Sequence, residues 1–327
     1  MFALPFSPAR TRSGFSNDAL HTCDTTFSFG QRGNHFLQCA SRHDYTRLPP
    51  KLAALLSSNQ VRKVHHVALG YENSFLMTWR DQKGQDRIDT QGIPDDLNDF
   101  LFAPHPQQPN ALLRSIPNIR LTLGPYNTSF FITDGSAYLW LNLPPDLLAA
   151  LQLRIKNGTW LDRPRIVALG ADASFLLITE KHAAVWDLHN YAVLTKMMEF
   201  SRSQSNGIEE VKNVVLHAYR YQCFVAESWN GTLLHNNLPP HELPGVEVMR
   251  VAILKEAQER ERRDGEKERR KVVERPNRSE LKEQASLRRQ WGDHQQEFTA
   301  KTKGKGLSLS LSLSVSAKGL AGGLGLR

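Results

Sequence analysis

Short apolar runs broken by turn residues recur between about Thr25 and Val248, and they share one internal pattern. Val67-Ala68-Leu69-Gly70 leads to Ser74-Phe75-Leu76. Leu121-Thr122-Leu123-Gly124 leads to Ser129-Phe130-Phe131-Ile132, and Val167-Ala168-Leu169-Gly170 leads to Ser174-Phe175-Leu176-Leu177. A weaker first copy reads Phe27-Ser28-Phe29-Gly30, then His35-Phe36-Leu37. A last copy reads Val214-Val215-Leu216-His217-Ala218, then Cys223-Phe224-Val225, with Ala218 where the glycine is expected. An aliphatic or β-branched run ending in glycine predicts a strand that stops where the backbone must turn. The run that follows predicts the returning strand, with its phenylalanine facing the core.

A second half follows each time. In the third copy it is Asp134-Gly135, then Tyr138-Leu139-Trp140, then Leu143-Pro144-Pro145-Asp146-Leu147. Asp-Gly and Asn-Gly (Asn230-Gly231 in the fifth copy) predict tight hairpins, because both residues tolerate positive φ. A third strand carries the tryptophan. Pro-Pro-x-Leu then predicts a short helix, since proline is tolerated in the first turn. The first copy keeps Leu48-Pro49-Pro50 and Leu52, the second Ile93-Pro94 and Leu97, and the fifth Leu238-Pro239-Pro240. The fourth keeps Trp186 and loses the prolines.

Five such copies predict an all-β, propeller-like repeat domain over residues 25–252, of about five degenerate blades joined by Leu-Pro-Pro-x-Leu helical turns. A single unit cannot bury its own faces, and stacked neighbours can. The expected anchors are Gly30, Gly70, Gly124 and Gly170; Phe36, Phe75, Phe130, Phe175 and Phe224; and Trp140 and Trp186. The spacing Gly124 to Asp134-Gly135 to Trp140, and Gly170 to Trp186, resembles blades of the regulator-of-chromosome-condensation family. The Trp186-Asp187 pair is similar to that of WD repeats. The likeness covers about two-thirds of the chain and implies a propeller-like fold; it carries over no exchange activity and no active residue. The glycine-rich element that follows the tryptophan in condensation-regulator blades is missing. The Leu-Pro-Pro-x-Leu element is foreign to both families and resembles tandem units of uncharacterised fungal repeat proteins.

From Ile253 the composition changes. Glu256–Arg260, Glu259–Arg263 and Glu266–Arg270 are i,i+4 pairs in the favourable order, so residues 253–300 are expected to be a charged helical segment, with one helix ending before Pro276 and a weaker one from Ser279 to about Gln290. Residues 301–327 are low-complexity and expected to be disordered, as are residues 1–24. Residues 253–327 hold 18 Lys/Arg and 11 Asp/Glu, out of 41 and 33 in the chain. The body is therefore close to neutral and the basic character belongs to the tail. Arg262, Arg263, Arg269, Arg270 and Lys271 are the candidate phosphate or partner contacts, blunted by interspersed acids.

The three cysteines (Cys23, Cys39, Cys223) form no close-spaced pair, which argues against a disulfide framework or a cysteine-based zinc site. No phosphate loop, dinucleotide fingerprint, His-Glu-x-x-His or Gly-x-Ser-x-Gly is present. The expectation is no catalytic residue, no cofactor and no metal. His65 and His66 are assigned to a surface or loop, because adjacent strand residues face opposite ways. Trp140, Trp186 and Trp229 are the candidate sugar platform, but Trp140 and Trp186 hold the same repeat position, which favours core anchoring. No apolar run reaches the ~18 residues of a membrane helix. An intracellular location, cytoplasmic or nuclear, is expected, with a mitochondrial presequence as the lesser alternative. The leading expectation is a non-enzymatic scaffold for protein partners. The alternatives are a lectin-like module and nucleic-acid or chromatin association through the basic tail.

Overall fold

A computed structural model describes residues 25–274. The expected disordered start (1–24), the second weak helix and the low-complexity tail lie outside those residues. The chain divides into two units, Met1–Glu261 and Arg262–Arg327. Every strand among the described residues belongs to the first.

Strands in small antiparallel sheets dominate, with few helices. Sheet one is β1 (Thr26–Phe29), β2 (His35–Gln38) and β3 (His43–Thr46), followed by α1 (Pro50–Ser57). Sheet two is β4 (Val61–Leu69), β5 (Phe75–Asp81) and β6 (Asp86–Gln91), followed by α2 (Asp95–Leu101) and a hairpin, β7 (Pro104–His105) and β8 (Gln108–Leu112). Sheet three is β9 (Arg120–Leu123), β10 (Phe130–Thr133) and β11 (Tyr138–Leu141), with α3 (Pro145–Gln152) and a second hairpin, β12 (Ile155–Lys156) and β13 (Thr159–Trp160). Sheet four is β14 (Pro164–Leu169), β15 (Phe175–Thr179) and β16 (Ala184–Asp187), with α4 (Ala192–Ser203) and α5 (Gly207–Glu210). Sheet five is β17 (Val211–Leu216), β18 (Phe224–Ser228) and β19 (Leu233–Asn236), with α6 (Leu243–Glu274). The two hairpins were not legible in the repeat.

Each helix seals the junction between its own sheet and another. Leu52 of α1 joins residues of sheets one and two in one apolar cluster. Leu97, Phe100 and Leu101 of α2 do so for sheets two and three. Leu147, Ala150 and Leu151 of α3 serve sheets three and four, and Leu194 and Met198 of α4 serve sheets four and five. Val246, Met249, Ala252 and Ile253 of α6 pack with Val225 of sheet five and with Phe27, Phe29 and Leu37 of sheet one. The i, i+3, i+4 spacing of these residues is the helical signature of a buried stripe. Burying a large side chain contributes roughly 1.5–3 kcal/mol, so each of these helix residues strengthens the junction it fills alongside the strand residues of the same cluster.

Strand pairing corrects the phase of the repeat at two places. Leu69, Leu123, Leu169 and Leu216 pair with Phe75, Phe130, Phe175 and Phe224, but Phe29 pairs with His35. The anchor of the first copy is therefore His35, and Phe36 lies one residue out of phase, on the other face, packed against sheet two. In the fifth copy the amide of His217 donates to the Cys223 carbonyl, as Gly70 does to Ser74 and Gly170 to Ser174. The glycine position belongs to His217, not Ala218. The turns vary in length, so residue counting cannot set the phase.

The glycines are needed for room more than for turning. A Cβ on Gly70 would collide with Asn127, Ser74 and Leu123, and one on Gly124 with Ser129. Neither has a positive φ.

The charged helix begins ten residues earlier than Ile253. It is the fifth helix of the repeat, extended, so the expected boundary at 252/253 falls inside α6. Residues 243–253 carry the buried stripe, and the charged pairs begin after it. Among the described residues no helix is long and apolar enough to cross a membrane.

Candidate functional site

The first strand of every sheet contributes to one cavity of about 460 Å³, lined by segments 25–29, 65–69, 120–123, 164–168 and 212–216 among others. Direct hydrogen bonds cross between the sheets around it. The amide of Leu69 donates to Ser28 Oγ at 2.7 Å, and the Leu121 amide to His66 Nε2 at 3.2 Å. The Thr122 hydroxyl donates to the Val167 carbonyl at 2.8 Å, and Arg165 to the Val211 carbonyl at 2.6 Å. The Thr25 hydroxyl donates to Glu227, whose carboxylate also pairs with Lys212.

The cations at the cavity are engaged within the protein: Arg165 bridges sheets four and five, and Lys212 pairs with Glu227 inside sheet five. Arg120 holds the carbonyls of Pro117 and Ile119. His66 is neutral: burial, with the Arg120 charge beside it, pushes it down to about 3. His65 is buried and bonds Asp86 at 2.8 Å. The expected surface or loop placement of this pair is therefore corrected. Both lie within β4, where the register shifts between Val64 and His66, and such a bulge re-aims side chains.

A second feature is a run of aromatic rings. Phe29 of sheet one stacks on His217 at 5.6 Å. His217 meets Tyr219 edge-on at 6.2 Å, Tyr219 meets Tyr126 at 5.7 Å, and Tyr126 meets Tyr71 at 5.3 Å. The rings come from sheet one and from the turns that close β4–β5, β9–β10 and β17–β18. Tyr126 is 61% exposed, and Tyr221, on the same turn as Tyr219, is 55% exposed. Tyr126 and Asn127 both have left-handed backbone conformations, φ 56° and 57°. For a bulky residue this costs on the order of 1–3 kcal/mol. It is held in place: the Tyr126 amide donates to Tyr219 Oη at 3.2 Å. Asn127 accepts from the Tyr71 amide at 3.0 Å and donates to Ser74 Oγ at 2.8 Å. Burial pushes the Tyr219 hydroxyl up to about 12, so it stays protonated.

The third feature is a polar cluster of His35, Asp44, His241 and Glu242. His35 and Glu242 are buried, and burial raises the Glu242 carboxyl to about 7.

Of the residues singled out from the sequence, Phe36, Phe75, Phe130, Phe175 and Phe224 are fully buried, and Gly30, Gly70, Gly124 and Gly170 sit at the ends of the first strands. Trp140 and Trp186 are half-buried on third strands, paired with Phe131 and Leu176. Trp140 stacks on Tyr138 at 5.2 Å, Trp186 lies under Arg202 at 3.8 Å, and Trp229 lies near Lys212 and Arg260. No ring contact among the described residues joins two of these tryptophans. Asp134 makes the hairpin: its Oδ1 accepts from the amides of Ser136 and Ala137. Arg262 and Arg263 are exposed on α6; Arg269, Arg270 and Lys271 follow on the same helix, their side chains outside the described residues. The tyrosine run was missed because its rings lie 55 and 93 positions apart.

No protein-family model matches this chain, and no curated protein matches it.

Proposed function

We propose that the five sheets make a propeller-like ring of about five blades, and that this ring is a non-enzymatic scaffold for a protein partner. Two facts support the ring: the five apolar clusters each join one sheet to the next, the last joining five to one, and the first strands share one cavity. The likeness to condensation-regulator and WD blades is carried no further than the fold.

The binding role rests on one observation above others, the preorganised run Tyr71–Tyr126–Tyr219 with Tyr126 exposed in a left-handed backbone. Backbone strain that the surroundings enforce points to function. Tyrosine is enriched at protein interfaces, because a rigid ring supplies contact area at low entropic cost and its hydroxyl finds a partner. The engaged cations at the cavity, and tryptophans that stack on separate partners, lend less support to catalysis or to a shared sugar platform.

The test is a photoreactive phenylalanine derivative at position 126, with the 80%-exposed Leu153 as control site, followed by irradiation in the native cell. Discrete protein adducts from position 126 and not from 153 are expected. Identical adduct patterns at the two sites, or none from 126, overturn the reading. Comparing full chains with chains ended at Glu261 separates a contribution of the basic tail.

A further inference from the structure

The repeat departs from itself at His35. Where four sheets place a buried phenylalanine, the first places an imidazole that is 1% exposed. Its Nε2 lies 2.9 Å from Asp44 Oδ2, and its Nδ1 is buried without a hydrogen-bond partner. Glu242, 0% exposed, has both carboxylate oxygens buried and without a hydrogen-bond partner. His241, exposed, brings its ring within 6.2 Å of that of His35 and its Nε2 within 3.7 Å of Glu242 Oε1; the same nitrogen is 2.9 Å from the Gly33 carbonyl. One ligand atom from each of His35, His241 and Glu242 lies within 4.8 Å of the other two.

This arrangement is chemically incomplete by itself. Asp44 accepts the Nε2–H of His35, which leaves the lone pair on Nδ1. In its ionised form Glu242 also accepts, so only a proton or a cation held between the two groups satisfies both. Buried polar atoms left in this state are costly, and a cation satisfies both. Two imidazole nitrogens and one carboxylate oxygen suit zinc and its first-row neighbours; calcium and magnesium prefer oxygen alone. The Asp44–His35 hydrogen bond is the outer partner that a metal-binding histidine commonly has. His241, exposed, would give an ion access from solvent.

We propose that His35, His241 and Glu242 bind a divalent transition metal ion, zinc by their ligand chemistry, where the first sheet meets the segment that opens α6. The ion would tie together positions more than 200 residues apart. Bound by the folded chain alone, it would raise stability by mass action. Three protein ligands leave a fourth position for water. This inference stands independently of the scaffold reading.

The full-length protein, stripped with EDTA, is titrated with Zn²⁺ by calorimetry and with Co²⁺ by visible absorption, and its melting is followed with and without zinc. One equivalent at this site, visible bands of a four-coordinate cobalt centre and an upward shift in Tm are expected. His35→Phe installs the ring that the other four sheets carry, so this variant should fold. His35→Phe and His241→Ala are both expected to lose the cobalt bands and the zinc-dependent shift. Asp44→Asn keeps the three ligands and should weaken binding about 10–100-fold. The proposal is overturned by a wild-type protein whose Tm ignores zinc, or by cobalt bands and a Tm shift that persist in both His35→Phe and His241→Ala.

Discussion

His217 lies flat against Phe29, with ring centroids 5.6 Å apart and planes inclined by 10°. The one repeat that lacks a glycine at this position thus uses the added side chain to join sheet five to sheet one. His217 is 3% exposed, so His217→Gly leaves a cavity. The expected loss is about 2–4 kcal/mol, by analogy with large-to-small core substitutions, read as a lower urea midpoint at unchanged slope.

Acid should destabilise the fold through two desolvated histidines, half-buried His66 and buried His217. Burial holds His66 near 3 and His217 near 4, against about 6.5 in an unfolded chain. Above pH 6.5 both states are neutral and nothing changes. Below it the unfolded chain takes up protons that the folded one refuses, so stability falls as pH drops and levels off below the folded values. The slope is at most about 1.4 kcal/mol per pH unit for each histidine. Glu242, raised to about 7, has the opposite sign: its charged form costs the folded state above pH 7, and that cost is relieved as pH falls. In chelator, between pH 6.5 and 4.5, His66→Gln should flatten the decline and Glu242→Gln should steepen it. Equal slopes in all three proteins would remove both assignments.

Glu227 is buried, accepts from the Thr25 hydroxyl and pairs with Lys212. Removing one partner of a buried pair strands the other. Lys212→Met alone should cost about 3–5 kcal/mol, and Lys212→Met with Glu227→Met should recover most of it. A double-mutant cycle in denaturant measures the coupling; additive losses would mean the pair is weakly coupled.

The buried stripe of α6 ends at Ile253. A chain ended at Glu261 should unfold at nearly the wild-type urea concentration. One ended at Glu242 loses Val246, Met249, Ala252 and Ile253, and at roughly 1.5–3 kcal/mol per large side chain should lose on the order of 5 kcal/mol or more. Limited proteolysis of the two products gives a second reading of the same difference.

Much of the architecture could be read along the chain. The three-strand repeat, the hairpin at Asp134-Gly135 and the helices after Pro49, Pro94 and Pro144 are local consequences of turn chemistry and hydrophobic period. Such interactions join residues a few positions apart, so one sequence displays them. The phase at His35 and His217 could not be read, because it depends on which carbonyl an amide finds across a strand pair. The tyrosine run and the His35–His241–Glu242 cluster were hidden for a stronger form of the same reason. Their members lie on different repeats and meet only when the sheets pack. Gly70 and Gly124 stand between these cases: their identity is visible in the sequence, yet the reason for it is the neighbouring side chain that a Cβ would strike. Local order was therefore set by the amino-acid sequence itself, through backbone preference and apolar spacing. The contacts that give this protein its candidate sites were set only by the packing of sheet against sheet, where distant residues become neighbours and buried polar groups must find partners.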